Sequence, residues 1–149
     1  MEHQEGRIEA LGRDACLALL STVVIGRVAW SASGGDLKVV LVNFVLDGDG
    51  IVFRTARGGM LDAIQHGVPL TFEVDDVEPA LRVGWSVVLS GRADVVTDRD
   101  QVRRLEQLGG APWVALTEPV FVRLPLREIS GRRLPLHAGG VFVQPVEDV

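Results

Sequence analysis

The sequence predicts a mainly β fold with accessory helices, in which about six antiparallel strands curl into a barrel. Three observations carry this. Strand-like runs follow one another directly instead of alternating with helices, which argues against a parallel βαβ sheet. The longest run, LKVVLVNFVLD from Leu37 to Asp47, is rich in β-branched residues, and a GDG turn leads from it into IVFRT, the pattern of a hairpin. Hydrophobic residues make up 47% of the 149, enough for a core within one domain spanning 1–149.

Ile8, Leu11, Ala15 and Leu19 recur at helical spacing and predict an amphipathic helix over 7–20, with Cys16 as a packed core thiol. IGRVAW (25–30) reads as a short strand followed by the turn-rich SASGGD. The hairpin of Leu37–Asp47 and IVFRT comes next, then a short helix in GMLDAIQHG that Gly67 and Pro69 stop. PLTFEVDDVE (69–78) alternates, with Leu70, Phe72 and Val74 on one face. GWSVVLSGRADVVTD reads as one long strand bent at Gly91. In DRDQVRRLEQLGG an aspartate cap opens a helix and a glycine pair closes it. VFVRLPLREISGRRL reads as the last strand, interrupted by Pro125 at an edge or bulge. The segment 135–149 is read as a tail whose VFV patch lies on a partner or hangs free.

A net charge of −5 argues against non-specific binding to nucleic acid or an anionic membrane, and no apolar run is long enough to span a bilayer. The polar start is not a secretory signal, so a cytoplasmic protein is expected. A single cysteine excludes an internal disulfide, and no Cys/His cluster has metal-ligand spacing. Lys38 is the one lysine, so an anion site here must use arginine, backbone amides or hydroxyls.

The stretch IVFRTARGGMLDAI offers such a site. Arg54 and Thr55 end a strand, and Arg57, Gly58 and Gly59 open a helix. Free N–H groups and glycines admit an anion closely, and arginine matches phosphate oxygens. The plainer reading is a strand-to-helix turn with solvated arginines. No acid–base set stands out: His3, His66 and His137 are scattered, and Glu73, Asp75 and Asp76 read as a solvated strand end. Trp85 is either a core or interface residue or the wall of a planar-ligand site, and Trp113 either a lid on an apolar groove or a packing anchor.

Taken in order, GRVAW, VVLVNFVLDGDGIVFRTARGGMLDAI, FEVDD, GWSVVLSGRADVV and EISGRR resemble the pyridoxamine 5'-phosphate oxidase-like flavin-binding family over residues 11–133. Within it they are similar to the short actinobacterial-type members, a branch that includes proteins related to nitroimidazole resistance. The resemblance implies an FMN-binding split β-barrel acting as a homodimer, with the cofactor in grooves between subunits. Its phosphate would sit on Arg54, Thr55, Arg57, Gly58 and Gly59. Backbone groups around Val42 and Asn43 would meet the ring, and Trp85 with Ser86 would reach it from the other subunit. The implied function is a flavin-dependent oxidoreductase on a small molecule, with the cofactor rather than a catalytic side chain supplying the chemistry. A deazaflavin enzyme and a non-catalytic ligand-binding dimer are the alternatives. Pyridoxamine phosphate oxidation itself is not expected, because the chain is short and shows no substrate-binding C-terminal segment of that enzyme. Two departures stand out. Met60 occupies a position that is commonly lysine in relatives, and LVNF replaces a pattern such as PVNY. A lost cation removes a charge-assisted hydrogen bond of roughly 1.5–3 kcal/mol. The apolar strands and the VFV patch exceed what one small barrel buries, which also predicts a dimer.

Overall fold

The computed structural model describes residues 8–108 and 113–134. Strands β1 (Glu9–Leu11), β2 (Ile25–Ser31), β3 (Leu37–Asp47), β4 (Gly50–Thr55) and β5 (Leu70–Glu78) are followed by β6 (Val83–Gly91), β7 (Asp94–Val95), β8 (Val120–Pro125) and β9 (Glu128–Leu134). The helices are α1 (Arg13–Leu20), α2 (Gly59–Gln65) and α3 (Arg99–Gln107). The nine strands form one antiparallel sheet in the order β1-β9-β6-β5-β2-β3-β4-β8-β7.

The eleven-residue β3 organises this sheet. Its first part pairs with β2, from Ser31↔Leu37 to Ile25↔Asn43. Its last part pairs with β4, from Phe44↔Phe53 to Asp47↔Gly50. One strand therefore serves two half-sheets, and the sheet splits where β3 passes from one partner to the other. Alternation sets the faces. Gly26, Val28 and Trp30 of β2 point inward, as do Phe72 and Val74 of β5 and Val87 and Leu89 of β6. With Phe44, Ile51, Phe53 and Leu124 they fill the main core, and a smaller cluster of Val52, Leu105 and Phe121 packs α3 against the outside of β4 and β8.

The expected mainly β barrel with helices is the fold found, with three differences. Residues 9–11, expected as the first turn of a helix over 7–20, form β1 on the edge of β9, with Leu11 opposite Gly131. The apolar spacing is compatible with either element, and the extended Gly12 (φ −71°, ψ 169°) divides them. GWSVVLSGRADVVTD is two strands, since β6 joins β5 and β9 whereas β7 crosses to β8. The final run is also two strands, with β8 on β4 and β9 on β6. Pro125 ends β8, because proline has no N–H with which to continue the ladder. These splits and β1 raise the count from about six to nine. The glycine pair 109–110, His3, His137 and the tail 135–149 lie outside the described residues.

Candidate functional site

Beyond the pair Phe44↔Phe53 the two strands of the split diverge. β3 runs back through Asn43, Val42 and Leu41 toward β2, while β4 runs on through Arg54 and Thr55 with only β8 beside it. The resulting groove is about 630 Å³, within the range of small-molecule sites of roughly 300–1,000 Å³. Val40–Val45 form one wall and Val52–Gly59 the other. Leu105 and Leu108 of the α3 region, with Trp113 and Val114, form the outer rim.

Seven of the nine residues expected to bind a cofactor meet here: Val42, Asn43, Arg54, Thr55, Arg57, Gly58 and Gly59. The Arg54 guanidinium lies over the Phe121 ring, 5.0 Å from its centre, a cation–π contact that fixes it at the groove. Arg57 is exposed. Among the described residues neither arginine has a carboxylate partner, whereas Arg27, Arg103, Arg104 and Arg123 all do. Thr55 is buried, and its hydroxyl donates to the Ala56 carbonyl at 3.2 Å, which leaves lone pairs rather than the proton for a ligand.

Gly58 has φ 157° and ψ −165°, a conformation nearly restricted to glycine, and a Cβ built there would meet nothing within 4 Å. Chain and space are therefore both open at this turn. α2 has no side-chain cap, so its first N–H groups are unpaired by any side chain. With seven residues it carries little dipole, so affinity for an anion falls mainly to the arginines.

Trp85 and Ser86 do not reach this groove. They lie on β6, opposite Asp76 and Asp75, where Trp85 packs against the core and borders a separate hollow beside Arg133. Trp113 is 72% exposed at the groove rim within one chain, and its backbone N–H donates to Asn43 Oδ1 at 2.9 Å. The side chain of Asn43 thus holds the rim in place.

Sequence reasoning missed Trp30. It is only 8% exposed, lines the groove, and its indole Nε1 has no hydrogen-bond partner. A buried unsatisfied donor costs about 1–3 kcal/mol. The alternation of IGRVAW could have found it, since an inward tryptophan beside Gly26 and Val28 must place its N–H among apolar groups.

Among the described residues no Asp, Glu, His or Cys lines the groove. The acidic residues stand elsewhere. On the outer sheet face Glu73 and Asp75 share Arg27, at 3.2 and 2.8 Å. Partial burial, then the neighbouring Asp75, raise the Glu73 carboxyl above its ordinary value, against the pull of Arg27. No group of three or more possible metal ligands occurs among the described residues, and no helix there is long and apolar enough to cross a membrane.

A β-sheet split along one long strand, with an apolar groove at the split ending in arginines and a glycine turn, defines a split-barrel protein. The profile of the pyridoxamine 5'-phosphate oxidase family matches residues 12–133, and the chain belongs to that family. The match spans almost the range over which the motif order resembled it. An uncharacterized Mycobacterium tuberculosis protein, Rv0080, is 31% identical over 129 residues, 83% of this chain and 84% of the relative. The solved FAD binding protein of Mycobacterium smegmatis superposes with a TM-score of 0.70 at 28% identity, covering 88% of this chain and all (100%) of the other. A Corynebacterium diphtheriae protein of unknown function superposes with a TM-score of 0.69 at 35% identity, covering 86% and 98%.

Proposed function

We propose that this chain binds a flavin nucleotide in the groove at the split and acts as a flavin-dependent oxidoreductase on a small molecule. The observation that carries the proposal is the pairing of Arg54 and Arg57, both without carboxylate partners among the described residues, with an open glycine turn at one end of an apolar groove. The residues fit the group. Arg54, Arg57 and the backbone of Gly58 and Gly59 suit a phosphate, and the diverging edge of β3 at Val42 and Asn43 offers backbone groups to the polar rim of a planar ring. The apolar walls exclude water from that ring. Bound there, a flavin supplies hydride transfer, while the protein holds it in position.

FMN is the smallest nucleotide that uses all of these features. The FAD-binding Mycobacterium smegmatis relative supports a flavin and makes FAD the comparison of choice. The groove is one-sided, so we assign its completion to a second copy of the chain, whose Trp85 and Ser86 approach the ring. The family resemblance supports this arrangement, and so does the position of both residues away from their own groove.

Met60 favours a second reading. It is 7% exposed at the position commonly cationic in relatives and carries no donor. A weaker phosphate site suits a non-catalytic ligand-binding dimer, and a deazaflavin presents the same phosphate-and-ring chemistry. The test is an absorption spectrum of the purified protein, followed by parallel titrations with FMN, FAD and a deazaflavin. Tight flavin binding is expected, with Arg54→Ala weakening it about ten- to hundredfold through the loss of a charged hydrogen bond. A colourless protein that takes up no flavin overturns the proposal, and tighter deazaflavin binding selects that cofactor instead.

A further inference from the structure

The Trp30 indole N–H is the one buried side-chain polar atom without a partner among the described residues, and it belongs to a residue lining the groove. A buried indole N–H ordinarily finds an acceptor, and phenylalanine would bury a ring here with no donor to satisfy. The ring is oriented toward the glycine turn: Trp30 Cζ2 lies 4.0 Å from the point where Gly59 would carry a Cβ. In indole, Cζ2 and Nε1 are attached to the same carbon, so Nε1 lies two bonds from the atom that approaches Gly59.

We propose that Trp30 is a ligand-binding residue whose Nε1–H donates to an oxygen of the anionic group held at the Gly58–Gly59 turn. The inference rests on the reading of that turn as an anion site and adds a donor to it from β2. It also answers the loss at Met60. Met60 adjoins Gly59 and lines the same groove without a donor, and its flexible thioether chain can shift to admit a ligand oxygen to the indole edge. A neutral donor inside an apolar wall replaces a solvated cation, and the two differ in a measurable way. The contribution of Trp30 is insensitive to salt, whereas that of an exposed arginine such as Arg57 is screened.

Proton–nitrogen NMR of the indole groups tests the proposal. The chain has three tryptophans, and Trp30→Phe assigns the relevant resonance. Titrants are FMN, riboflavin, which lacks the phosphate, and inorganic phosphate. The Trp30 indole proton is expected to move downfield with FMN and with inorganic phosphate but not with riboflavin. Trp30→Phe is expected to weaken FMN binding about five- to tenfold at both low and high salt, and to weaken riboflavin binding less. If the wild-type protein binds FMN while the Trp30 resonance stays in place, this inference falls and the flavin reading stands. If no flavin binds but inorganic phosphate moves the resonance, the flavin reading falls and Trp30 is upheld as an anion donor. A resonance that neither FMN nor inorganic phosphate moves overturns the assignment.

Discussion

Gly26 shows how single residues shape the site. A Cβ at this position would lie 2.3 Å from Phe72 Cζ and 3.1 Å from the Glu73 carbonyl oxygen. Phe72 is fully buried and meets Phe44 edge-on, with ring centres 4.9 Å apart, so it has nowhere to retreat. Gly26 pairs with Val42, so the strain of an added methyl would fall on the strand that walls the groove. Gly26→Ala is expected to destabilise the fold by about 1–3 kcal/mol, as overpacking does. Thermal unfolding measures this, and an unchanged Tm would show that the ring yields. At this scale the sequence was informative about chemistry and silent about contact. That Arg54, Arg57 and the glycines meet at one end of a groove was legible because they lie in one short stretch at a strand-to-helix turn. The tertiary partners were not: Phe121 beneath Arg54, Asn43 under the Trp113 N–H, and the unsatisfied Trp30 all depend on residues brought together by the sheet.

Between elements, the decisive contact is the fastening of α3 to the β3–β4 hairpin. Arg104 of α3 grips both oxygens of Asp47 at 2.7 and 2.8 Å, and Arg123 of β8 bonds the same carboxylate and the Asp47 carbonyl. Asp98 caps the other end of α3 by accepting from the Gln101 N–H at 2.9 Å. Since Leu105 lines the groove, this clamp positions part of its rim. Hydrogen bonds from Arg104 and then Arg123 hold the Asp47 carboxyl far below the ordinary carboxylate range. A depressed folded-state value contributes stability that is complete above the unfolded value of about 3.9 and is lost as pH falls below it. Asp47→Asn is therefore expected to cost roughly 1–2 kcal/mol at neutral pH, given charged hydrogen bonds partly open to solvent. The gap from the wild-type protein should narrow below about pH 4. Urea unfolding across pH 3–7 measures this, and a constant gap would place the contribution in packing instead of charge. The cap of α3 and the β3–β4 hairpin were legible because both are local. The partition of the last two runs into β6–β7 and β8–β9 was not, because a continuous apolar pattern does not record which half-sheet each part joins. The strand β1 was hidden for a related reason, since its partner lies more than a hundred residues away.

For the whole molecule the unresolved economy is on the outside of β3. Leu37, Val39 and Leu41 are 78%, 62% and 67% exposed and, two residues apart, form one apolar stripe on a single face. A stripe of this kind suits a self-complementary contact between copies about a two-fold axis. Leu41 also borders the groove, so a contact there would bring the second copy to the groove's mouth. Leu41→Glu is accordingly expected to convert a dimer to a monomer in sedimentation equilibrium at micromolar concentration, and a wild-type protein that is already monomeric would dismiss the contact. The stronger test asks whether each site draws residues from both copies. Arg54→Ala removes the proposed anion contact from its own groove, while Trp85→Ala removes the wall proposed for the partner's groove. Each variant alone should bind flavin poorly while keeping a native circular dichroism spectrum. When the two are mixed in equal amounts and allowed to exchange, half of the dimers become mixed, and each mixed dimer carries one groove with both residues intact. About one quarter of the wild-type binding sites should then return, as two-fold symmetry requires. If mixing restores nothing, the groove is completed within one chain, and Trp85 belongs to the core of β6 alone.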